Sequence, residues 1–152
     1  VLIHASAGGV GLAGIQVANI IGAEVVSTAG GPSKRGLLHS LGVKHVVGSR
    51  DTNFSDEVFL LGGADVVLNS LTSSGMIAAS VSCLNRGGRF VEISKRDIWS
   101  SARFQQERPD VGYSLLAVDF LPPSVLHSTL TLISSQLALG QLRPLRQISH
   151  TM

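Results

Sequence analysis

Residues 4–11 read HASAGGVG, between a short apolar run, VLI (1–3), and a helical-looking stretch, LAGIQVANII (12–21). Gly8, Gly9 and Gly11 crowd the point where a strand gives way to a helix. Glycine adopts tight backbone conformations without steric cost, so the stretch read alone is a turn. The same arrangement also suits a cradle for phosphate. The elements around it decide between the two.

Strand-like and helix-like segments alternate along the chain. VLIHA (1–5) reads as a first strand, and a helix over about 9–21 carries Val10, Ala13, Val17 and Ile20 on one face. AEVVST (23–28) is a second strand. PSKRGLLHSLG (32–42) is a helix opened by Pro32 and closed by Gly42. HVVGS (45–49) is a third strand, followed by a short helix near 53–60 with Asn53 or Ser55 as its cap. ADVVLNS (64–70) has the continuous apolar run of a parallel strand covered on both faces.

A helix over about 73–84, a turn NRGG (85–88) and a strand RFVEIS (89–94) come next. Residues 95–112 lack periodicity and read as a loop or short helices. YSLLAVDF (113–120) is a sixth strand candidate, and a helix over about 123–139 places Leu126, Leu130, Ile133 and Leu137 in a stripe before Gly140. Alternation of this kind implies crossover connections and a mostly parallel sheet with helices on both faces. The expected fold is α/β, doubly wound, of the Rossmann type, in one domain spanning 1–152.

In that fold SAGGVG (6–11) occupies the first strand-to-helix turn. Against the pattern G-x-G-x-x-G, Ser6 stands at the first glycine position and Gly8 and Gly11 at the second and third. The second glycine admits a pyrophosphate to the backbone, and the third lets helix and strand pack closely. Ala7, Gly8, Gly9, Val10 and Gly11 are therefore the candidate phosphate loop, where free N–H groups and the helix dipole favour negative charge. The end of the second strand selects the dinucleotide. An NAD site usually places an acid there, but STAGGPSKR (27–35) has none. Thr28, Ser33, Lys34 and Arg35 instead suit a 2′-phosphate, and Ser49 and Arg50 after the third strand add a further cation near the adenosine end. The expected cofactor is NADPH.

Composition excludes several other classes. With 44% apolar residues in 152, the chain can bury roughly 70% of its unfolded surface. Twelve basic against ten acidic residues give a net charge of only +2, without the basic stripe of a nucleic-acid binder. No apolar run is long enough for a membrane span. Cys83 is the lone cysteine, which rules out an internal disulfide and fits a reducing, cytoplasmic setting. Its surroundings read as those of an ordinary buried thiol. His4, His39, His45, His127 and His150 are scattered without metal-ligand spacing, so no metal is expected. Tyr113 lacks a lysine four residues on, and no nucleophile elbow occurs. A start on Val1, within a strand, suggests a piece of a longer polypeptide.

Several phrases are more specific than the glycine loop. VLIHASAGGVG, SRDTNFSDEV (49–58), DVVLNSL (65–71), GGRFVEISKRDI (87–98) and LLAVDF (115–120) together resemble the enoyl reductase domains of polyketide and fatty acid synthases. These belong to the zinc-free branch of the medium-chain dehydrogenase/reductase superfamily. The resemblance implies NADPH-dependent reduction of an α,β-unsaturated acyl thioester on an acyl carrier protein, in a polyketide synthase before a fatty acid synthase. It implies other domains of the same synthase as partners, among them a GroES-like substrate lobe absent from this chain. The apolar edge such a lobe would cover is a candidate association surface, and a homodimer of the full enzyme is a further expectation.

By resemblance, Lys95 matches a lysine placed near the nicotinamide and Asp119 an acidic residue facing it, both proposed proton donors. Asn69, Ser70 and Leu71 match the loop bordering the cofactor, and Ile93 and Ser94 the strand end behind the nicotinamide. Ser94 stands where the family usually carries Gly, and GGADVV (62–67) is about two residues shorter than the commoner form. Two other readings remain: a quinone-oxidoreductase-like NADPH reductase, and a non-catalytic binding or structural module of a megasynthase.

Overall fold

The computed structural model describes residues 1–145, which fall in two compact units, one of Val1–Ala117 and one beginning at Val118. In the first, six parallel strands form one sheet in the order β3-β2-β1-β4-β5-β6. The strands are β1 (Leu2–Ile3), β2 (Val26–Ala29), β3 (His45–Gly48), β4 (Ala64–Asn69), β5 (Leu84–Glu92) and β6 (Gly112–Leu115). Five helices connect them: α1 (Gly9–Ile20), α2 (Pro32–Ser40), α3 (Phe54–Leu60), α4 (Met76–Ser82) and α5 (Ser101–Glu107). This is the expected doubly wound sheet. Its order reverses between β1 and β4, which opens a crevice at the carboxyl ends of those strands.

Both faces of the sheet are covered, as alternation along β1 shows. Leu2 joins an apolar cluster with Val67, Phe54, Met76 and Phe90, while Ile3 joins another with Ile15, Ala18, Leu38 and Val43. The first cluster engages α3, α4 and α5, and the second α1 and α2.

The inward face of α1 is not the expected one. Val10, Ala13, Val17 and Ile20 are exposed, and the helix buries Gly11, Ile15 and Ala18. Both stripes have helical spacing, so periodicity alone cannot choose between them. Small size decides. A Cβ on Gly14 would lie 3.4 Å from Leu68 Cδ2 and 3.5 Å from Ile3 Cδ1, so the helix rides close to the sheet on its smallest residues.

Other boundaries also shift. The ladder of β1 is shorter than VLIHA, because Ala5 turns into the left-handed region at φ 49°. Asn53 precedes α3, but its side chain makes no capping bond. NRGG lies inside β5 rather than before it. Ala64 pairs with Leu84 and Val66 with Arg89, so residues 85–88 form an irregularity opposite Asp65. Arg108 steadies this region by donating to the carbonyls of Val81 (2.9 Å) and Leu84 (3.2 and 3.1 Å). The sixth strand ends at Leu115.

In the second unit a 3₁₀ turn, Val118–Phe120, takes the place of the strand end expected there. It is followed by α6 (Pro123–Ala138), which carries the expected apolar stripe but has no buried residue. Gly140, at φ 69°, ends the helix as the sequence suggests.

Candidate functional site

The glycine turn joins β1 to α1 and is held tightly. Ser6 N–H donates to Thr28 C=O (3.0 Å), Ser6 Oγ to Ile3 C=O (2.6 Å), and Gly8 N–H to Ala5 C=O (2.9 Å). Ser6, at the first glycine position, is fully buried and needs no left-handed backbone, because Ala5 makes that turn instead. A Cβ on Gly11 would sit 2.6 Å from Ser6 O, a collision with fixed backbone. Gly8 occupies the N-cap and offers no side chain to the helix end. The first helical bond runs from Leu12 N–H to Gly8 C=O (2.9 Å). The N–H groups of Gly9, Val10 and Gly11 therefore precede the helical ladder and are open to an anion. Val10's side chain lies outside, and Ala7 is half-buried behind the turn.

Beneath this turn lies a buried polar chain that the sequence did not signal. His4 is 3% exposed, with Nδ1 at 3.1 Å from Thr28 Oγ1 and Nε2 at 2.8 Å from Ser80 Oγ. Ser80 donates its own proton to Met76 C=O (2.7 Å), so it accepts from His4 Nε2–H. His4 Nδ1 is then the acceptor for Thr28 O–H, while Thr28 Oγ1 accepts from Ala5 N–H (3.2 Å). The chain runs in one direction from the glycine turn through β1 and β2 to α4, and it requires a neutral imidazole. Burial lowers the His4 pKa from 6.5 to about 3, in agreement. The edge of His4 also meets Phe54 at 5.0 Å. Thr28 thus supports the turn from below, its hydroxyl already committed.

At the ends of β2 and β3, Gly30, Gly31, Pro32, Ser33, Lys34 and Arg50 line a cavity of about 370 Å³. Ser49 and Arg50 sit beside Gly30, whose Cβ would fall 3.4 Å from Ser49 Oγ and 3.7 Å from Arg50 Nε. Arg35 is half-buried on α2 and is not among the lining residues. Lys34 and Arg50 therefore share this cavity.

On the other side of the crevice, the ends of β4 and β5 are tied together. Asn69 is fully buried: its Nδ2 donates to Glu92 Oε2 (2.7 Å) and Leu71 C=O (3.2 Å), and its Oδ1 accepts from Leu71 N–H (3.3 Å). Glu92, 1% exposed, also accepts from Ser94 N–H (2.8 Å). Ile93 N–H donates to Asn69 C=O (3.1 Å). Ser70 Oγ is buried without a hydrogen-bond partner among the described residues. An orphaned hydroxyl in this loop fits a ligand group beside it. Lys95 follows Ser94 and is exposed; Asp97 beyond it holds φ 54°. Asp119 lies in the 3₁₀ turn of the second unit. Sequence reasoning missed His4 and Glu92, since a lone histidine and a strand carboxylate carry no motif.

Metal ligation does not suit these side chains. No three His, Cys, Asp or Glu residues cluster among the described residues. Both nitrogens of His4 are engaged. Cys83 is buried, its thiol donates to Ala79 C=O (3.1 Å), and burial raises its pKa to about 11. His150 lies outside the described residues. No described helix is long and apolar enough to cross a membrane.

A tight glycine turn opening α1, a crevice where the strand order reverses and a cationic cavity beside it define a doubly wound domain of the dinucleotide-binding type. Comparison with known proteins agrees. A family described as zinc-binding dehydrogenase matches residues 9–108. The spectinabilin polyketide synthase system protein NorB of Streptomyces orinoci is 42% identical over 95% of this chain, which spans 7% of that protein. The CurK enoyl reductase superimposes with a TM-score of 0.90 at 40% identity, covering 95% of this chain and 45% of that one. The nucleotide-binding subdomain of the enoyl reductase domain of PpsC from Mycobacterium tuberculosis gives 0.84 at 38%, covering 95% and 84%. The chain belongs to the zinc-binding dehydrogenase family, and within it to the nucleotide-binding portion of polyketide synthase enoyl reductases.

Proposed function

We propose that this chain is the NADPH-binding subdomain, 1–152, of a polyketide synthase enoyl reductase that reduces an α,β-unsaturated acyl thioester carried on an acyl carrier protein. The observation that carries the cofactor reading is the pairing of the glycine turn with the Ser33, Lys34 and Arg50 cavity. The open N–H groups of Gly9, Val10 and Gly11 would hold the pyrophosphate, and the hydroxyl and two cations a 2′-phosphate. Asn69–Leu71 and Ile93–Ser94 would border the nicotinamide.

NADPH held by the amides of Gly9, Val10 and Gly11 and by Ser33, Lys34 and Arg50 would supply hydride chemistry for the enoyl β-carbon. As the C=C π electrons shift toward the thioester carbonyl, Lys95 would stabilise the charge growing on that oxygen. Lys95 or Asp119 would place a proton on the α-carbon, which completes the reduction. A quinone-oxidoreductase-like activity is the less favoured reading, because RFVEI-x-KRDI and the likeness to enoyl reductases both argue for the thioester. The test is turnover by the full reductase domain containing this chain. Crotonyl thioester should be reduced with NADPH, and Lys95→Ala should slow it by about a hundredfold or more. Preference for a quinone, or no turnover of either acceptor, would overturn the assignment.

A further inference from the structure

We propose that Glu92 is a positioning residue that locks the two nicotinamide-side loops into one unit; this deepens, and rests on, the enoyl reductase reading. The last residues of β4 and β5, Asn69 and Glu92, are register partners on adjacent strands. From that position the carboxylate takes one donor on each oxygen, Asn69 Nδ2 at 2.7 Å and Ser94 N–H at 2.8 Å. Asn69 in turn closes its own loop onto both backbone groups of Leu71. A continuous path therefore runs from Leu71 through Asn69 and Glu92 to Ser94, the residue before Lys95.

Chemistry makes the carboxylate specific. Burying a charge is costly unless every lone pair in use meets a donor. Two short charge-assisted bonds meet that condition here. Glutamine has the same shape but offers one acceptor and one donor, so it would turn an N–H against either Asn69 Nδ2 or the Ser94 amide. Aspartate is too short to span both. Nothing in a purely apolar core would require an acceptor at both ends. Glu92 does not touch the reacting atoms; it fixes the direction in which Lys95 leaves the sheet and the place of the Ser70 hydroxyl.

A double-mutant cycle in the full reductase domain tests this. Glu92→Gln sets an N–H against a donor, and Asn69→Asp sets two carboxylates together. Combining the two substitutions restores complementarity between positions 69 and 92, while the Leu71 carbonyl still lacks the donor that Asn69 Nδ2 supplied. The new side-chain amide at position 92 then donates to the new carboxylate at position 69, and its oxygen accepts from Ser94 N–H. Each single change should lower kcat between about ten- and a hundredfold, and in Glu92→Gln, a position that does not line the cofactor site, NADPH Kd should stay within about threefold. The double variant should be more active than Asn69→Asp alone, as coupled neighbours are, but fall short of wild type because Leu71 C=O has lost its donor. If Glu92→Gln does not fold, Asn69→Asp against the double variant still reads the coupling. Unchanged kcat in the singles, or no recovery in the double, overturns the proposal. Hydrogen exchange at the Ser94 amide separates its failure from that of the enoyl reductase reading. It should accelerate in Glu92→Gln and recover in the double variant, whether or not the wild-type domain reduces a thioester.

Discussion

The two sides of the crevice are supported from beneath by different chemistry. Under the glycine turn lies a neutral chain, Ala5 to Thr28 to His4 to Ser80, in which each hydroxyl both gives and accepts. Under the β4 and β5 loops lies a carboxylate that only accepts. The neutral chain holds a backbone turn whose N–H groups would meet phosphate, so no negative charge stands behind the anion site. The carboxylate lies buried beneath the loops that would border the uncharged nicotinamide, and Ser94, whose N–H it accepts, directly precedes Lys95. Charge is thus absent where it would repel the ligand and present where it organises donors.

That contrast can be broken most severely at the turn itself. Gly11→Ala forces a methyl into Ser6 backbone that hydrogen bonds at both ends cannot release. NADPH affinity should fall by at least about a hundredfold, and stability by about 1–3 kcal/mol, measured by fluorescence titration and denaturant melts. A variant that binds normally would show that the turn does not approach the cofactor.

The next effect sharpens the claim of neutrality. The folded pKa of His4, about 3, lies below its unfolded value of 6.5, so the unfolded chain takes up the proton first. The stability due to His4 is complete above about pH 6.5 and is lost as pH falls from there toward 3, by up to about 1.4 kcal/mol per pH unit. His4→Leu should cost about 1–3 kcal/mol at pH 7, because Thr28 O–H loses its acceptor, and should flatten this part of the acid profile. Parallel profiles for wild type and variant would contradict the neutral imidazole assigned here.

The smallest effect concerns the turn's one strained non-glycine. Ala5 at φ 49° can be relieved by Ala5→Gly, for a gain of up to about 1 kcal/mol in a chemical melt. No gain would mean that the added freedom of the unfolded glycine offsets the relief.

What the sequence displayed, and what it hid, follow from the same physics. Alternating apolar runs reveal strands and crossovers, so the sheet was legible, and the glycine spacing located its first turn. The face of α1 was not legible, because the sheet-facing stripe is made of Gly11, Gly14, Ile15 and Ala18 and the exposed one of larger apolar side chains. Size complementarity at close approach outweighed hydrophobicity there. Lys34 and Arg50 stand far apart in sequence, and only the parallel pairing of β2 with β3 brings them to one cavity. Arg35, adjacent in sequence, does not line it. His4 and Glu92 meet side-chain partners 23 to 76 positions away, a relation that no local pattern encodes.

The most direct measurement is a titration of this chain with NADPH and with NADH, beside a Lys34→Ala/Arg50→Ala variant. Wild type should prefer NADPH by at least about tenfold, since hydrogen bonds to a charged phosphate contribute about 1.5–3 kcal/mol each. In the variant that preference should vanish while NADH affinity stays the same. Equal affinity of wild type for the two nucleotides, or a preference that survives the double substitution, would contradict it.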